Sequence, residues 1–108
     1  MNMNEYQKRA RKTAIYPRTH AIIYPALGLA GETGECVEKV KKMLRDDAGN
    51  LTPECREAIC KDLGDVLWYV ANLATDCQLT LEDIATVNVL KLEDRQNRGT
   101  LKGSGDNI

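Results

Sequence analysis

A chain of 108 residues, of which 43% are hydrophobic, is long enough to form one folded domain with its own core. Its formal net charge of -1 provides no general attraction to nucleic acid or to an anionic membrane, so neither is expected as a partner. Because no apolar run approaches the roughly 18 residues of a membrane span and the start of the chain lacks the apolar core of a signal peptide, we expect a cytoplasmic protein.

The first predicted element is a short, charged helix from Asn4 to about Thr13. It ends before Tyr16-Pro17, because a residue that precedes proline is pushed out of the helical region. The stretch from Arg18 to Pro25 contains a second Tyr-Pro pair and is predicted to be a connecting loop. Three rings of this region either line a pocket or are ordinary packing residues: Tyr16, His20 and Tyr24.

The second predicted helix, from about Pro25 to Arg45, has an acidic face. Glu32 and Glu35 are three residues apart, and Glu38 adds one further step. Residues at this spacing lie one above the other on a helix of about 3.6 residues per turn. The apolar residues of the same segment fall on the opposite arc, so the three glutamates form one ladder beside the predicted core.

A long third helix is predicted from Pro53 to about Cys77, with Thr52 as its N-cap. It carries a narrow polar stripe: Asp62, Asp65, Tyr69, Asn72 and Asp76. Its other sides are apolar or small, so we expect it to be buried nearly all round, with further copies of the chain covering it. The cysteines fall at apolar helical positions and are interpreted as reduced core residues: Cys36, Cys55, Cys60 and Cys77.

If these two helices pack through their apolar faces, their acidic edges meet at the margin of the core. Two like charges about 4 Å apart repel by roughly 4 kcal/mol at an effective dielectric near 20. Such a cluster needs either protonation or a cation. A hard divalent metal with oxygen ligands is the predicted partner.

Thr80-Leu-Glu-Asp83 resembles a capping box and predicts a fourth helix that runs to about Arg98 and stops at Gly99. One side of it carries a polar stripe: Asn88, Lys91, Arg95 and Arg98. This stripe is either a solvated charged face or an anion site whose cations bind phosphate oxygens. Residues 99–108 have the composition of a flexible tail, which we expect to lie across a neighbouring copy or near the site where it is ordered.

Three stretches together resemble one known family: Gly28-Leu-Ala-Gly-Glu-Thr-Gly-Glu-Cys-Val-Glu38, Asp62-Leu-Gly-Asp-Val-Leu-Trp-Tyr69 and Asn88-Val-Leu-Lys-Leu-Glu-Asp-Arg95. In this order they are similar to the MazG-like nucleotide pyrophosphohydrolases of the all-α NTP pyrophosphohydrolase superfamily. The family pattern is Glu-x-x-Glu on one helix and Glu-x-x-Asp on the next. Asp62 stands where the family has glutamate, and its shorter side chain binds metal either directly or through a water.

The resemblance implies one all-α domain over residues 1–108, a bundle of four to five helices that assembles into a dimer or a dimer of dimers. It implies hydrolysis of nucleoside or deoxynucleoside triphosphates to monophosphate and pyrophosphate, with two or three Mg²⁺ per site and Mn²⁺ as a substitute. The implied metal ligands are Glu32, Glu35, Asp62 and Asp65, with Glu38 as a further ligand. Either Glu35 or Glu38 would take the proton of water. Tyr69 would stand beside the sugar or base, and the phosphates would be held by Asn88, Lys91 and Arg95.

Two other classes of protein are compatible with an acidic helical bundle. One is a catalytically inactive relative, a metal-binding helical interaction module. The other is a carboxylate-bridged di-iron bundle, which requires Glu-x-x-His on two helices, a motif that this sequence lacks. The preferred base and sugar stay open, and so does the choice between removing abnormal nucleotides and adjusting a normal dNTP pool.

Overall fold

The computed structural model describes residues 1–101, so the predicted tail lies outside the described residues from position 102 onward. Four α-helices make up most of the described chain: α1 (Met3–Lys12), α2 (Ile23–Asp46), α3 (Pro53–Asp76) and α4 (Leu81–Asn97). A short 3-10 helix, Arg18–His20, lies between α1 and α2. Residues 1–101 contain no strand, which confirms the prediction of an all-α fold. None of these helices is both long and apolar enough to cross a membrane.

Three of the four α-helices, α1, α3 and α4, begin where a polar side chain satisfies one of the first backbone N–H groups. The N-cap Thr52 accepts a hydrogen bond from the backbone N–H of Cys55 at 3.1 Å, and Thr80 accepts one from Asp83 at 3.1 Å. After α4, Gly99 has φ 73°, a left-handed conformation that glycine adopts without strain. The predicted ends of the helices are therefore confirmed to within two residues, the largest difference being the earlier start of α2.

The antiparallel pair of α2 and α3, with 24 residues in each helix, is the centre of the fold. α1 packs on the C-terminal half of α3, and α4 packs mainly on α1. A small buried core joins these elements: Ala10, Ala71, Ala74 and Leu81, with Tyr6, Trp68 and Val70 packed around it. Because this core lies at the α1 end of α3, the rest of the α2–α3 pair extends beyond it.

Large apolar side chains remain exposed in the protomer. Leu27 on α2 is 69% exposed and Val87 on α4 is 68% exposed. Within one copy α3 is not buried all round, since Leu63 and Leu67 are 53% and 40% exposed, and its expected cover by further copies stays a prediction. The interpretation of all four cysteines as core residues is wrong for one copy, because two of them are exposed: Cys60 and Cys77.

One buried carboxylate, Asp76, joins α3 to α1 and to the loop before α2. The Tyr16 hydroxyl donates a hydrogen bond to it at 2.7 Å, and the Ile22 backbone N–H donates another at 2.9 Å. Arg11 and Arg18 form ion pairs with it at 2.8 and 2.9 Å. Burial alone raises the pKa of this carboxyl, but the hydrogen bonds outweigh burial and hold the pKa well below its usual range.

The loop held by Asp76 contains a strained turn. Ile22 has φ 70° and ψ -56°, and the Ile23 N–H donates to the Ala21 carbonyl at 2.8 Å, which is a γ-turn of the rare kind. A β-branched residue in this region costs about 1–3 kcal/mol. Since α2 begins at the next residue, the hydrogen bond from Ile22 to Asp76 fixes the start of the helix that carries Glu32.

We expect Asp76→Asn to lower the free energy of unfolding by about 3 kcal/mol, because the two arginines lose the charge of a buried partner. Since the folded-state pKa of Asp76 is lowered, its stabilisation is present above the unfolded-state pKa of about 3.9 and is lost as the pH falls below it. Urea unfolding at neutral and acid pH measures both effects.

The matched control is Asp46→Asn, which removes an exposed carboxylate paired with its neighbour Arg45 at 2.7 Å. This change should leave the free energy of unfolding close to that of the wild type. Equal unfolding free energies for Asp76→Asn and the wild type would contradict the structural role of Asp76.

Candidate metal centre

Three carboxylates from α2 and α3 converge on one side of the helix pair. Glu32, Asp62 and Asp65 each offer one oxygen, and these oxygens lie within 4.8 Å of one another. We call these residues the acid triad. Mg²⁺ binds oxygens at about 2.0–2.1 Å, so ligands on opposite sides of the ion are roughly 4 Å apart. The spacing and the hard oxygen donors of the acid triad therefore fit a divalent cation.

The sequence spacing and the helix pairing together produce this convergence. Asp62 and Asp65 are three residues apart on α3 and share one face of it. The antiparallel packing sets Gly28 of α2 beside Tyr69 of α3 and brings Glu32 to the level of the two aspartates. The predicted meeting of acids from the second and third helices is thus present in the structure.

The electrostatics of the acid triad favour a positive charge. Burial raises the pKa of Glu32, and the negative charges of Asp65, Glu35 and Asp62 raise it further. A cation bound between the carboxylates would remove this repulsion, because each carboxylate would then face an opposite charge.

One lysine already contacts the acid triad. The ammonium nitrogen of Lys39 lies 3.2 Å from Oδ2 of Asp62, an oxygen with almost no exposed surface. The contact with Asp62 and the negative charge of Asp62 raise the pKa of Lys39. Asp62 is therefore charge-paired within the protein, whereas Glu32 is surrounded by like charges.

The other two predicted ligands on α2 lie outside the acid triad. Glu35 is exposed, although its charge acts on Glu32. Glu38 is also exposed and forms an ion pair with Lys41 at 3.0 Å, and a hydrogen bond from Lys41 lowers its pKa. The structure therefore brings together three of the five carboxylates that the sequence singles out.

The predicted phosphate-binding residues are on α4. Asn88 is exposed, Lys91 is half-buried and Arg95 is buried. Because α4 packs mainly on α1, these residues do not line the pocket beside the acid triad.

A pocket of about 280 Å³ adjoins the acid triad and is lined by Glu32, Asp65, Trp68 and Tyr69. Grooves of larger volume lie elsewhere, but they do not contain the acid triad. The rings of Trp68 and Tyr69 meet edge to face with their centroids 5.0 Å apart. The site pocket thus combines two carboxylates with two aromatic side chains.

Trp68 is a pocket residue that the sequence analysis did not identify. Its helical position groups it with small and apolar residues, so periodicity assigns it to packing. In the structure its indole N–H donates to the hydroxyl of Thr13 at 2.7 Å, which fixes the ring beside Tyr69. The sequence feature that indicates this role is the pair of adjacent aromatic residues, Trp68 and Tyr69, one turn after Asp65.

The three rings between positions 16 and 24 have different roles. Tyr16 is buried and stacks on Tyr24 with ring centroids 4.9 Å apart. Tyr24 in turn lies 6.4 Å from the Tyr69 ring. His20 is exposed on the 3-10 helix. Tyr16 is therefore a packing residue, and Tyr24 supports the aromatic side of the site pocket.

Gly28 is the position on which the placement of Tyr69 depends. A Cβ atom at residue 28 would lie 2.1 Å from Cε1 of the Tyr69 ring, far inside contact distance. We expect Gly28→Ala to displace this ring from the site pocket and to lower the free energy of unfolding by about 1–3 kcal/mol, as overpacking does. Thermal unfolding measures the loss, and tyrosine fluorescence or NMR reports the movement of the ring.

Gly34→Ala makes the same change on the same helix at a position where a Cβ meets open space. This control should raise the unfolding free energy by up to about 1 kcal/mol, because alanine is the better helix former. Similar behaviour of the two variants would contradict the close contact at Gly28.

Comparison with known proteins gives two matches. The family model described as the MazG nucleotide pyrophosphohydrolase domain matches residues 20–100. The Gene 37 protein of Mycobacterium phage L5 is 43% identical over an alignment of 113 positions, which covers 99% of each chain. No solved structure gives a significant match. The matched range of the family model includes the acid triad, the site pocket and the polar residues of α4.

Proposed function

Since the chain belongs to the MazG nucleotide pyrophosphohydrolase family, we propose that it hydrolyses a nucleoside triphosphate at the α–β bond to a monophosphate and pyrophosphate. The observation that carries this proposal is the convergence of Glu32, Asp62 and Asp65 beside an aromatic pocket. Carboxylates repel the phosphates of a nucleotide, so this arrangement suits a nucleotide only when cations lie between the two.

The proposed cofactor is Mg²⁺, two or three ions per site, with Mn²⁺ as a substitute. Bound divalent ions supply charge neutralisation at the phosphates and an activated water. The acid triad would hold them, with Glu35 as an additional ligand or as the base that accepts the proton of the water. Glu38 is the second candidate for either role, and it would first have to leave its ion pair with Lys41.

The site pocket is proposed to bind the nucleoside. Stacking of a base on an aromatic ring contributes about 1–3 kcal/mol and tolerates different bases. Tyr69 and Trp68 offer such rings beside Glu32 and Asp65. A base held here would place its phosphates toward the carboxylates, because the pocket and the acid triad share two residues.

We further propose that Asn88, Lys91 and Arg95, although they do not line the site pocket within one copy, bind the β- and γ-phosphates, which leave together as pyrophosphate. Arginine offers paired donors to phosphate oxygens, and lysine offers a point charge. Such donors would stabilise the charge that develops on the leaving group.

Self-association into a dimer or a dimer of dimers is part of the proposal. Apolar side chains exposed on α2, α3 and α4 support it, because water-exposed apolar surface on this scale is typical of interaction sites. Examples from the three helices are Leu27, Leu63 and Val87.

For the wild type with Mg²⁺, we expect a nucleoside monophosphate and pyrophosphate as products, separated by chromatography. Glu32→Gln should lower their formation by at least about 100-fold, since even residues that only orient metal ligands cost about 10–100-fold. Without metal this variant should be at least as stable as the wild type, because one member of a repelling cluster is neutralised.

Glu5→Gln is the control, since Glu5 is an exposed carboxylate on α1 that accepts a hydrogen bond from Asn2 at 3.1 Å. It should keep the wild-type rate. Accumulation of a nucleoside diphosphate with orthophosphate would contradict α–β cleavage, and a folded wild type without any triphosphate hydrolysis would favour an inactive metal-binding module.

Light scattering of the purified chain at micromolar concentration should show a particle of at least dimer mass. Replacing an exposed leucine of α4, as in Leu90→Lys, should shift the mass downward if α4 is part of the interface, because a buried lysine is costly. A stable wild-type monomer would contradict self-association.

A further inference from the structure

Lys39 occupies a position from which it can act on the metal centre. It is seven residues after Glu32 on α2, two helical turns further along the same face. Its ammonium lies 3.2 Å from Oδ2 of Asp62, and the side chains of Lys39 and Asp62 are only 31% and 14% exposed. The protein therefore places its own positive charge against one member of the acid triad.

This contact occupies Oδ2, one of the two carboxylate oxygens of Asp62. Oδ2 has almost no exposed surface, so the nearby ammonium takes the place of solvent at this atom. A divalent ion that binds the acid triad must share Asp62 with Lys39 or displace the lysine. Two positive charges a few ångströms apart repel each other, so the lysine opposes the ion.

The surroundings of Lys39 provide an alternative place for its ammonium group. A groove of about 290 Å³ on this side of the helix pair is lined by Lys39, Asp62, Glu54, Glu57, Ala58 and Lys61. Two of these residues, Glu54 and Glu57, are carboxylates outside the acid triad. The lysine can thus leave Asp62 without losing all negative partners.

We propose that Lys39 is a built-in counter-cation of the acid triad, which stabilises it without metal and competes with the divalent ion for Asp62. This inference rests on the proposed function, because it needs the acid triad to bind a metal. Lys39 acts through Asp62 and is a positioning residue.

Lys39 could instead hold Asp62 in the geometry of a metal ligand, and this second role predicts the opposite change in metal affinity. If the lysine only braces Asp62 in the geometry of a ligand, its removal weakens metal binding. If it competes for Asp62, its removal tightens metal binding while the metal-free protein loses an ion pair. Opposite shifts in metal affinity and in metal-free stability therefore distinguish competition from bracing.

Calorimetric titration with MgCl₂ or MnCl₂ alone, without nucleotide, measures the affinity. We expect Lys39→Met to lower the metal Kd by about tenfold, the order of effect expected from removing a positive charge a few ångströms away. Its thermal midpoint without metal should fall below that of the wild type. Lys42→Met is the matched control, because it removes the same charge one turn further along α2, and it should change neither quantity appreciably.

Lys39→Gln provides a second test in case the methionine variant does not fold, because glutamine keeps a donor for Asp62 but has no charge. It should also tighten metal binding. An unchanged or weaker metal affinity in these variants, with normal binding by the wild type, would overturn this inference alone. A folded wild type that binds neither ion would overturn the proposed metal-dependent function, and the inference with it.

Discussion

The repulsion among the carboxylates of the acid triad is the constraint on which the rest of the structure depends. The antiparallel packing of α2 and α3 brings oxygens of Glu32, Asp62 and Asp65 within 4.8 Å of one another. Like charges at this distance oppose the packing that creates the site. The helix pair must therefore be stabilised by contacts elsewhere, and the core at the α1 end of α3 and the ion pair of Lys39 with Asp62 provide them.

Two kinds of acidic site on the same helix show how surroundings decide the role of a carboxylate. Asp76 is buried and receives donors from α1, from Tyr16, from Arg18 and from the strained turn, so nothing is left for it to bind. Asp65, three turns earlier, is exposed and shares a pocket with Glu32. The first carboxylate holds the fold together, and the second is available to a ligand. The exposed carboxylate lies near the middle of α3, and the buried one lies at its C-terminal end.

The sequence predicted the helices well because their limits are local. Proline and threonine at the start of α3 and glycine after α4 act through the nearest backbone groups. The spacing of Asp62 and Asp65 likewise determines that they share a face of one helix. A helical projection does not identify the partner of that face, however. It placed Asp76 on the same stripe of α3 as Asp62 and Asp65, whereas in the structure Asp76 faces α1 and the loop before α2.

The features that sequence could not predict are those that depend on tertiary contacts. The ion pair of Lys39 with Asp62 joins residues 23 positions apart in the chain. The role of Trp68 depends on a hydrogen bond to Thr13, the C-cap residue of α1. The exposure of Leu63 and Cys60 could not be predicted for the same reason. Apolar periodicity indicates which face of a helix is buried, but it does not indicate which surface covers that face. We propose that other copies of the chain cover this face.

The most direct test of the proposed reaction is hydrolysis in water labelled with heavy oxygen, in the presence of Mg²⁺, followed by mass spectrometry of both products. If the acid triad holds its metal ions at the α-phosphate, water attacks that phosphorus and the label enters the nucleoside monophosphate. Label found in pyrophosphate, with an unlabelled monophosphate, would show attack at the β-phosphorus and would contradict the proposed placement of the substrate.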